Sequence, residues 1–563
     1  METLEKSLNM WDDEFVQSME TPYYLWVSEC RERVETLVKQ VKILLKEMQT
    51  GFDGDLIQRL EMVDALQCLG IDRYFQDEIK AVLDFVYRCW DGSVGIGLGC
   101  KSATKDLNAT ALGFRLLRLH RYHVSADVVK NFKDKKGQFL SHGAINDEEH
   151  MMRSMINLLR ASSLAFLGEA VMEDAKVFSS VYLTHLLEKS EDIKQKSFLK
   201  EAEYALLYEW PSTFSRWEAR SYIEIYELDN SRLKDKIILE LAKLDFNILQ
   251  YKYKMEMKKL SSWWQNSGVS KLIAVKERSI EYYLLAVSVV DNAEFGSSRI
   301  VVAKTATLVS LLDDLFDNYL TLEQVELVTK AIVQGWNISI IQNIPNNFKK
   351  IVEFIFKTLH ELTSEASQIQ GRDMMQFITK AWADYAEASS KTVQWKEGQY
   401  VPSYNEYIKI AATTGASGLL SLHPILLAVP NLEDDAIEKI FLNKSRFNEL
   451  IWLTRCLVDD AHDFQDDKLH GQTTSAISWY MKDHPKCSEE EAVIHINNLF
   501  DQLLIELTWE FLNPNKVLLK WENLYFNIVK GVQSFYVFGD GFQYHDKGVK
   551  QRVFKVLFDL VEI

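Results

Sequence analysis

Along most of the chain apolar residues recur every three to four positions, the spacing that places them on one face of an α-helix. Ile57, Leu60, Val63, Leu66 and Leu69 follow it near the N-terminus, after one long amphipathic run over 24–48. The same period marks 106–122, 125–133 with Ser125 as its cap, 147–168 and 171–208. Pro211 interrupts it, and the polar stretch 229–235 reads as a hinge. Helical patterns resume over 237–253, 276–293, 297–317, 322–334, 346–368 and 371–394. Ser488 with Glu491 forms a capping box that opens a further helix, to about Leu507. Small residues over 413–418 predict a kink inside a helical context, and the aromatic tail 536–544 reads as a loop. Pro is scarce (8) and Gly modest (23), so the chain is expected to be all-α. Its 563 residues exceed one core, and the hinge predicts two helical domains, 1–230 and 231–563.

One helix end draws the chemistry. The 297–317 pattern, with Ser297 as candidate N-cap, stops before Thr321 and Gln324, which read as the capping box of the next helix. Asp313, Asp314 and Asp317 therefore fall in its last turn, and Asp313 and Asp317 share a face. A helix C-terminus already carries about half a negative charge. Carboxylates gathered there call for a positive partner, yet no Lys or Arg lies in the next ten residues. A hard divalent cation would serve, keeping waters or substrate phosphates as its other ligands. A second stripe repeats the device. Asp459, Asp463 and Asp467 lie one turn apart on a helix whose earlier part is apolar, with Gly471 as its expected C′ residue. Facing each other across a cavity, two such ends would hold several divalent cations and an anion between them.

Composition removes other classes. A net charge of -17 argues against a nucleic-acid groove. Cys30, Cys68, Cys89, Cys100, Cys456 and Cys487 have no zinc spacing, so a reduced compartment is expected. The first residues are acidic and lack both an apolar core and the Arg-rich character of a transit peptide. No run of 18 apolar residues predicts a membrane span; the nearest, 419–429, is interrupted by His423 and Pro424. The GxGxG within 91–99 follows no strand, so it reads as a tight inter-helix loop rather than a dinucleotide site.

With these motifs in place the chain resembles the plant class I terpene synthases, most closely those of conifers, over essentially its whole length. The likeness runs through 56–80, 105–139, 216–226, 239–250, 370–373 and 478–482. Asp313-Asp-Leu-Phe-Asp317 matches the family's aspartate-rich motif, and Asp459 to Asp467 stands where the family has its second metal motif. The resemblance implies a C-terminal catalytic α-bundle with the active-site cavity and an N-terminal relic α-barrel. It implies three Mg2+ ions, with Mn2+ a possible substitute, clamping a prenyl diphosphate. Asp313 and Asp317 would bind two ions, and Asp459, Asp463 and Asp467 the third. Asp314 would orient a basic partner, and Asp313, Asp314 and Asp317 form the catalytic set. Lys276, Arg278, Arg455 and Lys468 are the expected diphosphate-binding residues.

Departures from the family pattern shape further expectations. Lys276 replaces the first Arg of an Arg-x-Arg, keeping charge without the bidentate fork. Asp463 and Asp467 stand for the usual Ser/Thr and Glu, and Cys456 for a common Arg, with Arg455 one place earlier. Leu285, Phe535 and Phe542 stand where some relatives have Trp or Tyr. The second cyclase motif, Asp-x-Asp-Asp, is reduced here to Asp106-Leu-Asn-Ala109, which excludes proton-initiated cyclisation. An Arg-Arg-x8-Trp motif is missing before Trp11. A cytoplasmic, monomeric sesquiterpene synthase acting on farnesyl diphosphate, with several products, is the resulting expectation; C10 or C20 substrates are the alternative. Rivals are a chain-elongating prenyltransferase, a phosphohydrolase built on His462 with Asp460 and Asp463, and a non-catalytic helical scaffold.

Overall fold

The computed structural model describes residues 13–19, 24–50, 56–96, 106–140, 148–189, 196–228, 236–275, 277–398, 400–441, 445–469, 475–513, 521–537 and 547–563. Among the described residues every regular element is helical; two isolated bridges, Asp91 with Gly95 and Lys133 with Phe139, are the extent of β-pairing. Two compact units emerge. One comprises Pro22–Tyr251, Ile505–Leu518 and Asp559–Ile563; the other comprises Met1–Thr21, Lys252–Leu504 and Leu519–Phe558. The first unit's longest segment ends at Tyr251, beyond the polar stretch around 230. The chain passes from one unit to the other inside the continuous helix Lys236–Ser267, whose dense apolar content outlasts the hinge before it.

In the N-terminal unit, α1 (Leu56–Cys68), α2 (Leu107–Leu119), α3 (Glu148–Ser162), α4 (Lys196–Leu207) and α5 (Ser215–Leu228) each pack on the next, and α5 closes back on α1. Every residue of α2 from Leu107 to Arg118 is buried, as expected of a helix inside such a ring. The interior holds charge as well as hydrocarbon. Arg115 and Arg160 both pair with Asp64, and Arg160 also reaches Glu218 at 3.3 Å. The two cations keep the buried Asp64 carboxyl far below the usual carboxylate range despite its desolvation. At the start of α2, Asp106 accepts from the Ala109 amide at 2.7 Å, and its Oδ2 lies 2.9 Å from His150 Nε2. It is a helix cap there, with Asn108 bonded to Asn157 beside it.

In the second unit six helices form a ring. They are α6 (Ser279–Val289), α7 (Gly296–Asp314), α8 (Met375–Lys396), α9 (Tyr404–Thr414), α11 (Arg446–Leu469) and α12 (Glu522–Tyr536). Each touches its neighbour, α7 reaching α8 through the turn Leu315–Tyr319, and α12 returns to α6. Inside the ring lies α10 (Ser417–Ala428), which packs on α7, α8, α11 and α12. The predicted kink is a full break: α9 ends at Thr414, and Ala416 takes a left-handed φ of 58° before α10 begins. The stretch Tyr404–Ala428 is long and apolar enough to cross a membrane by composition alone, and 67% of its most apolar window is buried in the ring.

Several helix ends differ from the sequence expectation. Gly371, read as the start of a helix, instead ends Asn346–Gln370 in a left-handed conformation, φ 68°. Ser297 lies inside the first turn of α7 and does not cap it. That end is held by Arg299, which is fully buried and forks onto Glu256 at 2.8 and 2.9 Å, while Tyr283 donates to the same carboxylate. Thr321 and Gln324 do form the expected capping box.

The described part of the glycine loop, 91–96, is a tight turn; Gly97 and Gly99 lie outside the described residues. Asp91 accepts from the amides of Ser93 and Gly95, and Gly95 has φ +84°. A Cβ at Gly95 would lie 2.5 Å from Thr110 Cγ2, on a side chain already tied to the Ile96 backbone. Gly168 has a similar φ of +85° but open space around it. Gly95→Ala should therefore add overpacking, about 1–3 kcal/mol, to the backbone strain that Gly168→Ala suffers alone, about 1–2 kcal/mol. Thermal unfolding should show the lower midpoint for Gly95→Ala; equal midpoints would refute the clash.

Candidate active site

The first acid cluster sits where α7 loosens. The helix runs to Asp314, then Leu315–Tyr319 form one π-turn, closed by the Leu320 amide on the Leu315 carbonyl. Such widened turns recur at functional sites because they re-aim side chains. Leu312, Leu315 and Phe316 bury the inner side, and Asp317 stays exposed. Tyr385 of α8 donates its hydroxyl to Asp313 Oδ1 at 2.6 Å, and Lys396 of α8 meets Asp317 Oδ1 at 2.8 Å. Burial, with Asp317 and Asp314 adding to it, raises the Asp313 carboxyl to about 7 against the lowering bond from Tyr385. A cleft beside this turn is lined by Arg278, Tyr282, Ser310 and Asp314, with Tyr282 bonded to Ser310. Arg278 is the residue before α6, and Tyr319 of the π-turn donates to the Ala274 carbonyl, so the segment leading to Arg278 is tied to the acid turn. Lys276 lies outside the described residues.

The second cluster begins two-thirds of the way along α11. Arg455 stands 3.4 Å from Asp459 Oδ2, while Asp459 Oδ1 is buried with no hydrogen-bond partner among the described residues. The Arg455 stem passes the helix break, where a Cβ on Gly415 would lie 3.1 Å from its Cγ. Cys456 is a half-buried thiol that donates to the Leu453 carbonyl, its pKa pushed up by desolvation, so it offers no positive charge. Asp460 accepts from the Ala476 amide at 2.8 Å and anchors the next helix, Ala476–Asp483. His462 lies edge-on to Phe500. Asp460 being so engaged removes one member of the phosphohydrolase set. Lys468 is paired at the surface with Glu489. The helix backbone carries Asp463 and Asp467, but their side chains, like Gly471 and Phe542, lie outside the described residues.

A short path joins the two clusters. Lys396, on Asp317, follows Trp395, whose ring meets Tyr407 of α9 at 6.3 Å and Trp479 at 6.5 Å. Burial raises the Tyr407 hydroxyl, and Asp460, Cys456 and Asp459 of α11 raise it further, so Tyr407 stands in the field of the second cluster. Burial, Cys456 and Asp460 likewise push Tyr404 up to about 12. Tyr385, Trp395, Lys396 and Tyr407 carry no motif. Their one signal is helical register: Tyr385 and Lys396 are eleven apart, three turns on one face of α8. Phe535 and Tyr536 are buried at the end of α12, and Leu285 is buried in α6.

Among the described residues no three carboxylate, His or Cys side chains gather around one point. The donors that are present suit a hard cation. They are carboxylate oxygens, one buried and unpartnered at Asp459 and one Asp313 group whose ionisation is disfavoured until positive charge arrives.

An all-α ring with acid residues at the ends of two of its helices defines a class of protein, the helical enzymes that draw diphosphate off a hydrocarbon. Residues 10–206 match the family description "Terpene synthase, N-terminal domain", and 265–503 match "Terpene synthase family, metal binding domain". The chain belongs to the terpene synthase family. Alpha-humulene synthase of Picea glauca is 43% identical over 99% of this chain and 96% of its own length. Longifolene synthase of Picea abies is 42% identical over 98% of this chain and 95% of its own. Abietadiene synthase from Abies grandis has a similar structure, TM-score 0.82 at 37% identity, covering 90% of this chain and 68% of that one. Isoprene synthase from grey poplar, solved with three Mg2+ ions and dimethylallyl-S-thiolodiphosphate, gives TM-score 0.83 at 25% identity, covering 98% and 99%. The chain is thus a class I terpene synthase, a lyase acting on prenyl diphosphates, and it carries that family's metal-binding domain.

A cation that binds Asp313 must displace its proton. Below about 7, Mn2+ affinity of the enzyme, followed by the spin-resonance signal of free Mn2+, should fall by up to tenfold per pH unit. Affinity unchanged between pH 5.5 and 7.5 would contradict the raised Asp313 carboxyl.

Proposed function

We propose that the chain ionises and cyclises farnesyl diphosphate to sesquiterpenes, releasing diphosphate, with three Mg2+ held by Asp313 and Asp317 on one side and Asp459, Asp463 and Asp467 on the other. Mn2+ would substitute. When bound, the cations supply Lewis-acid neutralisation of the charge that develops on the leaving diphosphate. The chain's own residues do the rest. Arg278, with Lys276 one residue away from Glu277, approaches the diphosphate from the α6 side, and Asp314 orients Arg278 across the shared cleft. Arg455 approaches from α11, passing the gap that Gly415 leaves open. Lys468, paired at the surface with Glu489, belongs to the same set. Tyr282, Phe535 and Tyr536, buried on α6 and α12, are candidates for aromatic faces toward a carbocation.

The observation that supports this reading is the path Asp317–Lys396–Trp395–Tyr407–Asp459, which links the acid faces of α7 and α11 through α8 and α9. The C15 substrate is supported by the relatives themselves, since the humulene and longifolene synthases match nearly the whole chain. Alpha pinene synthase of Chamaecyparis formosensis, named as chloroplastic, is 38% identical, which keeps a C10 substrate as the second reading. Action in the cytoplasm, as a monomer, belongs to the same proposal.

Incubation with Mg2+ and C10, C15 or C20 diphosphate in parallel, followed by gas chromatography, should give cyclic C15 hydrocarbons as the main product. Turnover confined to C10 or C20 would overturn the substrate assignment, and a longer diphosphate on adding isopentenyl diphosphate would favour the prenyltransferase. The two near-equivalent Asp-Asp-x-x-Asp faces should also hold the diphosphate less uniquely. Asp463→Thr with Asp467→Glu is expected to narrow the product spectrum; an unchanged spectrum counts against that role.

A further inference from the structure

We propose that Tyr385 is a positioning residue for the metal-binding face of α7: its hydroxyl holds one oxygen of Asp313 and leaves the second for a cation. The proposal rests on the metal reading above and deepens it. Tyr385 is 1% exposed, so its hydroxyl cannot be satisfied by bulk water, and it donates to Asp313 Oδ1 at 2.6 Å. An aspartate at the mouth of a loosened turn has two free torsions and two like charges nearby, on Asp314 and Asp317. A single fixed donor selects one carboxylate orientation against that repulsion.

The donor is itself fixed. The Tyr385 ring stands edge-on to Trp382, centroids 6.1 Å apart at 73°. Trp382 is completely buried and donates its indole N–H to His423 Nε2 at 3.3 Å. Burial keeps His423 neutral, its pKa lowered to about 4, so Nε2 is free to accept. His423 belongs to α10, the helix at the centre of the ring, directly before Pro424. On its other side Trp382 meets Trp336 edge-on at 6.2 Å, and Trp336 stacks on Phe356 at 5.8 Å. The phenol is thus the end of an aromatic column clamped to the innermost helix. A residue that only filled space would not need this donor at this oxygen, whereas outer-shell donors to metal ligands fix ligand orientation in just this manner.

Tyr385→Phe in the full chain removes the hydroxyl and keeps the ring. Mn2+ binding in the presence of inorganic diphosphate, read by the spin resonance of free Mn2+, should weaken by about 10–100-fold. The Mg2+ concentration for half-maximal turnover should rise by the same factor, while KM for the prenyl diphosphate at saturating Mg2+ stays within about twofold of the parent. Unchanged Mn2+ binding with a lowered melting temperature would overturn the proposal and leave Tyr385 a packing residue. Should Tyr385→Phe fail to fold, Trp382→Phe tests the same column: it loses the bond to His423, and the proposal requires weaker Mn2+ binding there too, unchanged binding overturning it. Failure of the parent enzyme to bind Mn2+ with diphosphate would instead overturn the metal reading itself, so the two failures are distinguishable.

Discussion

Carboxylates placed at the C-terminal end of a helix repel one another and the helix dipole, and the fold of the second unit is arranged around that conflict. Asp313 and Asp314 end the α-helix, and Asp317 lies in the π-turn that follows it. Two neutralising devices are already present. Lys396 meets the exposed Asp317, and Tyr385 bonds the half-buried Asp313, whose carboxyl still rises to about 7. The remaining charge is the enzyme's resource. Oxygen ligands that lack a full complement of positive partners bind a divalent cation more strongly than satisfied ones, at the expense of the apo fold.

That strain is tolerated because both helices are held elsewhere. The N-terminal end of α7 is fastened by the buried fork of Arg299 on Glu256, with Tyr283 donating to the same acid. On α11, Asp460 is used to anchor the helix Ala476–Asp483, leaving Asp459 beside it with an unpartnered oxygen. Adjacent residues on one helix thus divide between structure and chemistry. The break between α9 and α10 serves both purposes, for Gly415 lets Arg455 pass toward Asp459 and Gly418 lets the Trp452 indole approach within 2.8 Å of where a Cβ would stand.

The all-α class, the acid end of α7, the capping box at Thr321 and the break near 413–418 were legible because each depends on local spacing or on residues with special backbone demands. What escaped depends on partners distant in sequence. Tyr385 and Lys396 read as two ordinary positions on an amphipathic helix; only the packing of α8 against the π-turn gives them meaning. Asp460 looked equivalent to its neighbours in a run of acids, and its capping role appears only with the amide of Ala476 in place. Ser297 had the right side chain for a cap, but Arg299 and Glu256 set where α7 begins, a buried ion pair outweighing a hydroxyl. Polarity marks the stretch 229–235 as a loop, while the compact units divide where packing changes, inside Lys236–Ser267. The family likeness added what no local rule carries, the roles of the two acid motifs toward one diphosphate.

The central claim is that the acid faces of α7 and α11 serve one anion. A crystal of the full chain grown with Mn2+ and inorganic diphosphate, with the ions located by anomalous scattering, tests it directly. The account predicts one diphosphate whose oxygens share Mn2+ ions ligated by Asp313 and Asp317 with another ligated by Asp459. Ions at Asp313 and at Asp459 with no diphosphate in common, or an ion at only one of the two helices, would contradict it.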